Sequence, residues 1–339
     1  MLRASGVLLT VLTAIAAAVL TFPAFFRLDQ TFPVAQIISF RPLLAVGFGV
    51  AAVVFLLLAA ARPVRAFALS MVVVLAAAGA ANAAVVASRG LGTAELPAAT
   101  DDSVRVMTWN TAGEATDPAL VAQTAVAMGA QIVSLPETTI ETGEQVAIAM
   151  RELGSPMWAH HVEFGEDSWD AGSTTLLITP DLGDYAVIQS SADGSSNTGV
   201  LPSAVAMPVD GEGPIVVAVH AVAPRPAYMQ KWRDDLRWLA DQCAGDNVIM
   251  AGDFNATIDH MARFGVDGGV LGACHDAAAD SGNGGVGTWS TDVPALVGAP
   301  IDHVLHSSGW RTTGSVVLHS LDGAGSDHRP LVVQLEPTS

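Results

Sequence analysis

The stretch NVIMAGDFN, residues 247–255, runs from apolar residues into a glycine, an acid and an amide. Residues two apart on an extended segment point to the same side, so Asp253 and Asn255 share one face at the end of a strand. Gly252 carries no Cβ and leaves room for another backbone to come close. A carboxylate beside a carboxamide suits a metal, a phosphate or a plain turn. The rest of the chain has to separate these readings.

Outward from that strand the same design recurs. VRVMTWN (104–110) alternates like a strand and ends at Asn110. In TAGEATDP, Asp117 is placed to cap a helix and Pro118 to open it. PALVAQTAVAM (118–128) is that helix, and Gly129 stops it. QIVSLPE (131–137) is a short buried strand ending at Glu137, which completes a strand–helix–strand unit. ETGEQVAIAMRELG (141–154) reads as a second helix. TTLLITP, YAVIQ and PIVVAVH are strands, the last ending at His220. YMQKWRDDLRWLADQC (228–243) is an amphipathic helix with Trp232, Leu236 and Leu239 on its apolar side. PIDHVLH, GSVVLHS and PLVVQLE are further strands. Asp302 lies in the first, and Asp327 and His328 stand in SDHRPL just before the last. Strands of both patterns with few helices predict an α/β sandwich with mixed sheets.

Each polar residue has a bland reading alone. Asn110 suits a turn, Glu137 a solvated loop, His220 a structural histidine, and Asp302 a cap or a pair. Apolar strands push polar residues to their ends in any case. Six separate motifs ending this way are poorly explained by independent accidents, and ligand sites of open α/β sheets gather at strand ends.

The motifs TWN, LPE, AVH, GDFN, IDH and SDHRPL resemble, in order, those of the endonuclease/exonuclease/phosphatase family, which includes the DNase I-like nucleases, neutral sphingomyelinases and inositol polyphosphate 5-phosphatases. The resemblance covers residues 103–336 and rests chiefly on GDFN with SDHRPL downstream. It implies a four-layer αββα sandwich, two sheets face to face with helices outside. It implies Mg²⁺ or Mn²⁺ as cofactor, with Glu137 the principal ligand, Asn110 beside it and Asp327 in the metal and water network. Asp253 would orient or activate water, and Asn255 would donate to a phosphate oxygen. His328 matches the catalytic histidine, with Asp302 fixing its other ring nitrogen, and acts as a base or as a charged phosphate clamp. His220 would act on the phosphate or the leaving oxygen. Arg225 is a weaker candidate for substrate phosphate. Trp289 is a substrate wall or a packing residue. His160, His161, His260 and His303 are read as structural.

Six of the 15 basic and two of the 33 acidic residues fall in the first 100, leaving nine and 31 beyond. The chain is therefore a hydrophobic front joined to a strongly acidic part. That acidity argues against tight, sequence-independent binding to polyanions, which Lys and Arg drive by releasing counterions. It is compatible with hydrolysing a phosphodiester, since a divalent cation supplies positive charge locally. Leu8–Phe26, Leu43–Ala61 and Ala66–Ala87 approach the ~20 apolar residues needed to cross a bilayer. Residues 1–90 thus read as a three-helix membrane anchor, 91–102 as a flexible linker and 103–337 as the catalytic domain. Asn82 is the strong polar candidate inside the spans. The loop RPVR (62–65) places its end of the anchor in the cytoplasm and the acidic part outside the cell. Cys243 and Cys274 fit a disulfide there.

The first reading is a membrane-anchored, nuclease-like, metal-dependent phosphodiester hydrolase. The alternatives are a phospholipid or small-molecule phosphodiesterase or phosphatase, and a surface domain that keeps the fold only to bind. The partners expected are a phosphodiester substrate and the lipid bilayer.

Overall fold

The structure is a computed structural model describing residues 2–92, 96–164, 170–188 and 197–338. The chain divides into two compact units, Met1–Ser88 and Arg89–Ser339.

The first unit holds helices α1 (Leu2–Thr21), α2 (Val34–Ile38), α3 (Arg41–Leu58) and α4 (Arg65–Ser88). Three stretches, Ala4–Thr21, Arg41–Leu58 and Arg62–Ser88, are long and apolar enough to cross a membrane. The first stops at Thr21 rather than Phe26. Pro23 disfavours helical backbone just before it, and turns follow through Arg27. Arg41 and Asn82 are buried together. The Arg41 guanidinium donates to Thr21 O at 3.2 Å and to Asn82 Oδ1 at 2.8 Å. Asn82 Nδ2 donates to Thr21 Oγ1 at 3.1 Å and to Ala78 O at 3.0 Å. These bonds tie the end of α1, the start of α3 and the C-terminal half of α4, which gives Asn82 a structural place.

The second unit contains β1 (Val104–Thr108), α5 (Pro118–Met128), β2 (Ile132–Pro136), α6 (Ile140–Glu152), β3 (Trp158–Glu163), β4 (Ser173–Ile178), β5 (Tyr185–Ile188), β6 (Ala204–Pro208), β7 (Ile215–His220), α7 (Met229–Gln242), β8 (Val248–Asp253), α8 (Ile258–Met261), β9 (His275–Asp276), α9 (Ala277–Asp280), β10 (Asp302–His306), β11 (Trp310–Val317) and β12 (Leu331–Pro337). Two six-stranded sheets form, in the orders β11-β12-β1-β2-β4-β3 and β5-β6-β7-β8-β10-β9. Each has one parallel pair at its centre, β1–β2 and β7–β8, among antiparallel neighbours.

Alternate residues make the layers. Val104, Val106, Leu176 and Ile178 of one sheet pack against Ala204, Ala206, Val216, Ala218, Ile249 and Ala251 of the other. Met107, Val133, Leu135 and Leu177 turn outward onto Val121, Ala125, Val146 and Met150 of α5 and α6. On the second sheet's side α7 buries Trp232, Leu236 and Leu239, and the disulfide Cys243–Cys274 fastens its end. The architecture is the expected four-layer sandwich. Asp117 caps α5 by accepting from Ala119 N, and Gly129 ends it in the left-handed region.

The expected linker is laid along this unit where it is described. Pro97 O accepts from Arg105 and Ala98 O from Gln334, while Gly92 N donates to Gly282 O.

Candidate active site

The two parallel pairs end on the same side and there assemble the motifs. Along the second sheet, His220 lies in register with Asp253 across β7–β8, and Asp253 with Asp302 across β8–β10. Three chemistry-bearing side chains therefore form one row over three strands. The row needs Gly252: a Cβ there would lie 2.0 Å from Val219 O. The first sheet brings Asn110 just past β1 and Glu137 just past β2. Glu137 and Asn255 both have left-handed backbone, φ 56° and 47°, a conformation that costs a non-glycine residue energy and tends to gather at functional sites.

Asn110 joins the sheets. Its Nδ2 donates to Glu137 Oε1 at 3.1 Å and to Asp253 Oδ2 at 3.2 Å, and its Oδ1 accepts from Ala112 N at 3.0 Å. The amide's orientation follows from those partners, two acceptors on one side and a donor on the other. Its carbonyl is thus engaged away from Glu137, and Asn110 stands as a bridge between carboxylates rather than as an open oxygen ligand. Asn255 is similarly committed. Its Nδ2 donates to Asp253 Oδ2 at 3.1 Å and Ala221 O at 2.9 Å, and its backbone N–H to Asp253 Oδ1 at 2.8 Å. The hydrogen bond expected from Asn255 to phosphate has no uncommitted proton here, because both amide protons fix Asp253 and Ala221.

His328 stands beside the row. Nδ1 pairs with Asp302 Oδ2 at 2.8 Å, while Nε2 lies 3.8 Å from Asp253 Oδ2 and 4.0 Å from Asp327 Oδ1. Two residues inside the quoted motifs hold this arrangement, though nothing marked them out in the sequence. Ser326 Oγ donates to Asn110 O at 2.6 Å and accepts from His328 N at 2.9 Å, and Trp109 Nε1 donates to His328 O at 3.0 Å. Trp289 Nε1 donates to Asp327 Oδ2 at 2.9 Å, which gives that residue a positioning contact. Arg329 is buried and clamps Asp322 and the carbonyls of Gly287, Ser290 and Val293. Arg225 is exposed, and its side chain has no hydrogen bond or ion pair among the described residues.

The electrostatics follow from burial and crowding. Burial alone would lower the His328 pKa, but Asp302 and Asp253 outweigh it and push it up to about 10. Burial and then the neighbouring Asp302 raise Asp253 to about 7, against the pull of His328. Burial raises Glu137, opposed by the Asn110 hydrogen bond. Burial, and then the positive His328, press His220 down to about 3. Among the described residues no lysine or arginine pairs with Glu137, Asp253, Asp302 or Asp327.

That surplus of carboxylate fits a divalent cation. The Glu137 side chain, 28% exposed, is the accessible oxygen donor. Asp253, Asp302 and His328 also offer three atoms within 4.8 Å of one another. There the short Asp302–His328 bond occupies the histidine's Nδ1, so this group reads better as a hydrogen-bonded pair with an acid beside it.

The sandwich, with acids and histidines gathered where its strands end, agrees with what comparison with known proteins finds. The profile of the Endonuclease/Exonuclease/phosphatase family matches residues 107–328, more than half of the chain. The chain belongs to that family. Among solved structures, the chain is similar to an endonuclease/exonuclease/phosphatase from Beutenbergia cavernae DSM 12333 (18% identity, 70% of this chain and 72% of that one, TM-score 0.52). It is also similar to a humanized D. rerio TDP2 with 14 mutations (16% identity, 70% and 100%, TM-score 0.54). A third is D. rerio TDP2 complexed with single strand DNA product (17% identity, 70% and 100%, TM-score 0.51). At these identities the likeness is one of fold. No curated protein sequence matched the chain.

Proposed function

We propose that this protein is a divalent-metal-dependent phosphodiester hydrolase held in the cell membrane by its N-terminal helices, with its catalytic unit outside the cell. The observation that carries the reading is the convergence of Glu137, Asp253 and the Asp302–His328 pair on one end of both sheets, with no arginine or lysine paired to them among the described residues. A bound Mg²⁺ or Mn²⁺ supplies the Lewis acidity that draws charge from a phosphoryl oxygen.

Glu137 would hold the ion, and Asp327 would join through the surrounding water. Asp253 accepts a proton from the attacking water, a task suited to a carboxyl raised to about 7. Asn110 and Asn255 fix that carboxylate. His328, protonated at neutral pH, faces the phosphate through Nε2 as a charged donor, while Asp302 holds its tautomer and orientation. His220, in register with Asp253, is available to the phosphate or the leaving oxygen. Arg225 remains a candidate for a distal phosphate.

Nuclease-type cleavage is the finer reading, supported by family membership and by the zebrafish relative bound to its DNA product. The disulfide supports placement on an oxidising side of the membrane, and the RPVR loop supports the same orientation. The test uses the full chain in detergent, assayed with Mg²⁺, Mn²⁺ or EDTA against plasmid DNA, RNA, phospholipids and bis-p-nitrophenyl phosphate. Cleavage abolished by EDTA and by Glu137→Gln is the expected result. No turnover of any substrate by folded protein would favour a binding role.

A further inference from the structure

We propose that His220 is a metal ligand, its Nε2 and Glu137 Oε1 together holding one divalent transition ion of the Mn²⁺ or Zn²⁺ kind. The proposal rests on the assignment of a metal to Glu137 and replaces the phosphate contact otherwise open to His220.

His220 is 1% exposed, and neither ring nitrogen has a hydrogen-bond partner among the described residues. The other fully buried histidines differ. His303 and His306 have both nitrogens bonded, and His328 has Nδ1 on Asp302. His260 Nδ1 accepts from Thr257 N. A polar group sealed away without a partner is costly and calls for a water, an ion or a ligand. The neighbour it does have is Glu137 Oε1, 3.7 Å from Nε2. That is too far for a hydrogen bond. It is a separation that two donors can adopt on one ion about 2.0–2.2 Å from each.

With neither nitrogen committed, the ring is free to present its Nε2 lone pair. The ring is well placed, since its backbone N–H is held by Ser203 Oγ at 3.0 Å and its strand pairs in parallel with β8. His220 stands on one sheet and Glu137 on the other, so the ion would also cross-link the two layers. An imidazole nitrogen in the ligand set shifts preference from Mg²⁺ towards softer first-row ions.

The test is Mn²⁺ binding to the full chain in detergent, followed by pulsed EPR for ¹⁴N modulation from a coordinated imidazole. The wild-type protein is expected to show that coupling, and selective ¹⁵N-histidine labelling is expected to remove it without any mutation. His220→Gln is expected to lose the coupling and to weaken Mn²⁺ binding about tenfold or more, with a much smaller effect on Mg²⁺. His328→Ala is expected to keep the coupling. A wild-type spectrum without ¹⁴N modulation overturns the proposal, as does modulation that survives in His220→Gln and disappears in His328→Ala. Mn²⁺ binding unchanged in Glu137→Gln instead overturns the metal assignment beneath it.

Discussion

Two histidine–aspartate pairs meet on adjacent residues of β10 and do different work. Asp302 pairs with His328 at 2.8 Å, and His303 pairs with Asp276 at 2.6 Å. Both pairs are buried. Because successive residues of a strand face opposite ways, Asp302 and His303 look to opposite sides of β10. The second nitrogen separates them. His328 Nε2 faces Asp253 and Asp327 at 3.8 and 4.0 Å, with no hydrogen-bond partner among the described residues. His303 Nε2 donates to Ala256 O at 2.8 Å, and the ring packs edge-on against Phe254 at 5.5 Å. The carbonyl at Nε2 requires a proton on that nitrogen, and Asp276 beside Nδ1 favours the charged ring by raising its pKa. His303 thus props the GDFN loop from behind. A histidine–aspartate pair alone does not define a catalytic group; the partner of the remaining nitrogen does.

The largest effect should split the pairs. His328→Gln is expected to lower kcat/KM about 10²–10⁴-fold, while His303→Gln leaves activity per folded molecule within a few-fold. Equal activity losses would erase the distinction. In stability the order reverses. Asp276→Asn takes the carboxylate out of this buried pair and is expected to cost about 3–5 kcal/mol, read as a lower thermal midpoint. The disulfide fixes Cys274, two residues from Asp276, to Cys243, 31 residues back. Its removal by Cys243→Ser with Cys274→Ser is expected to cost about 3–4 kcal/mol in the chain-entropy picture. A stability loss of that size with kcat unchanged would assign the bridge to the structural pair's side of the molecule.

The pH dependence sharpens the same contrast. Burial lowers the His303 pKa, but Asp276 outweighs it, so the folded value lies above 6.5. Stability from a raised histidine is fully present below that unfolded value and is lost as pH rises through the folded one. The midpoint gap between wild type and His303→Gln should therefore be widest near pH 6 and narrow on the alkaline side. A gap that widens with pH would contradict the assignment. The smallest expected effect is at the rim. Trp289→Phe keeps an aromatic ring but removes the N–H that holds Asp327, and should lower kcat less than about tenfold, within the scale of one hydrogen bond. Asp327→Asn should then add little to Trp289→Phe if the two act as one unit.

Much of the fold was legible because its signals are local. Asp117, Pro118 and Gly129 bound α5 by capping and backbone preference, and the three apolar stretches announce themselves by length. Strands β3 and β6 escaped. WAHHVE is an edge strand whose two histidines break the apolar run, and AVAMP holds no polar residue to alternate with and ends in a proline. The candidate site was legible as a set of strand ends, since a sheet exposes polar residues where its strands stop.

What the sequence by itself determined is thus the kind of residue available and the order in which the strands present it. What only the tertiary structure decided is where each proton and lone pair goes. Asn110 reaches Asp253 across 143 residues of chain, His328 finds Asp302 and not Asp276, and both amide protons of Asn255 turn inward. Hydrogen bonds are short and directional, so their partners are fixed by sheet register and the meeting of two layers, and no local pattern encodes that distance.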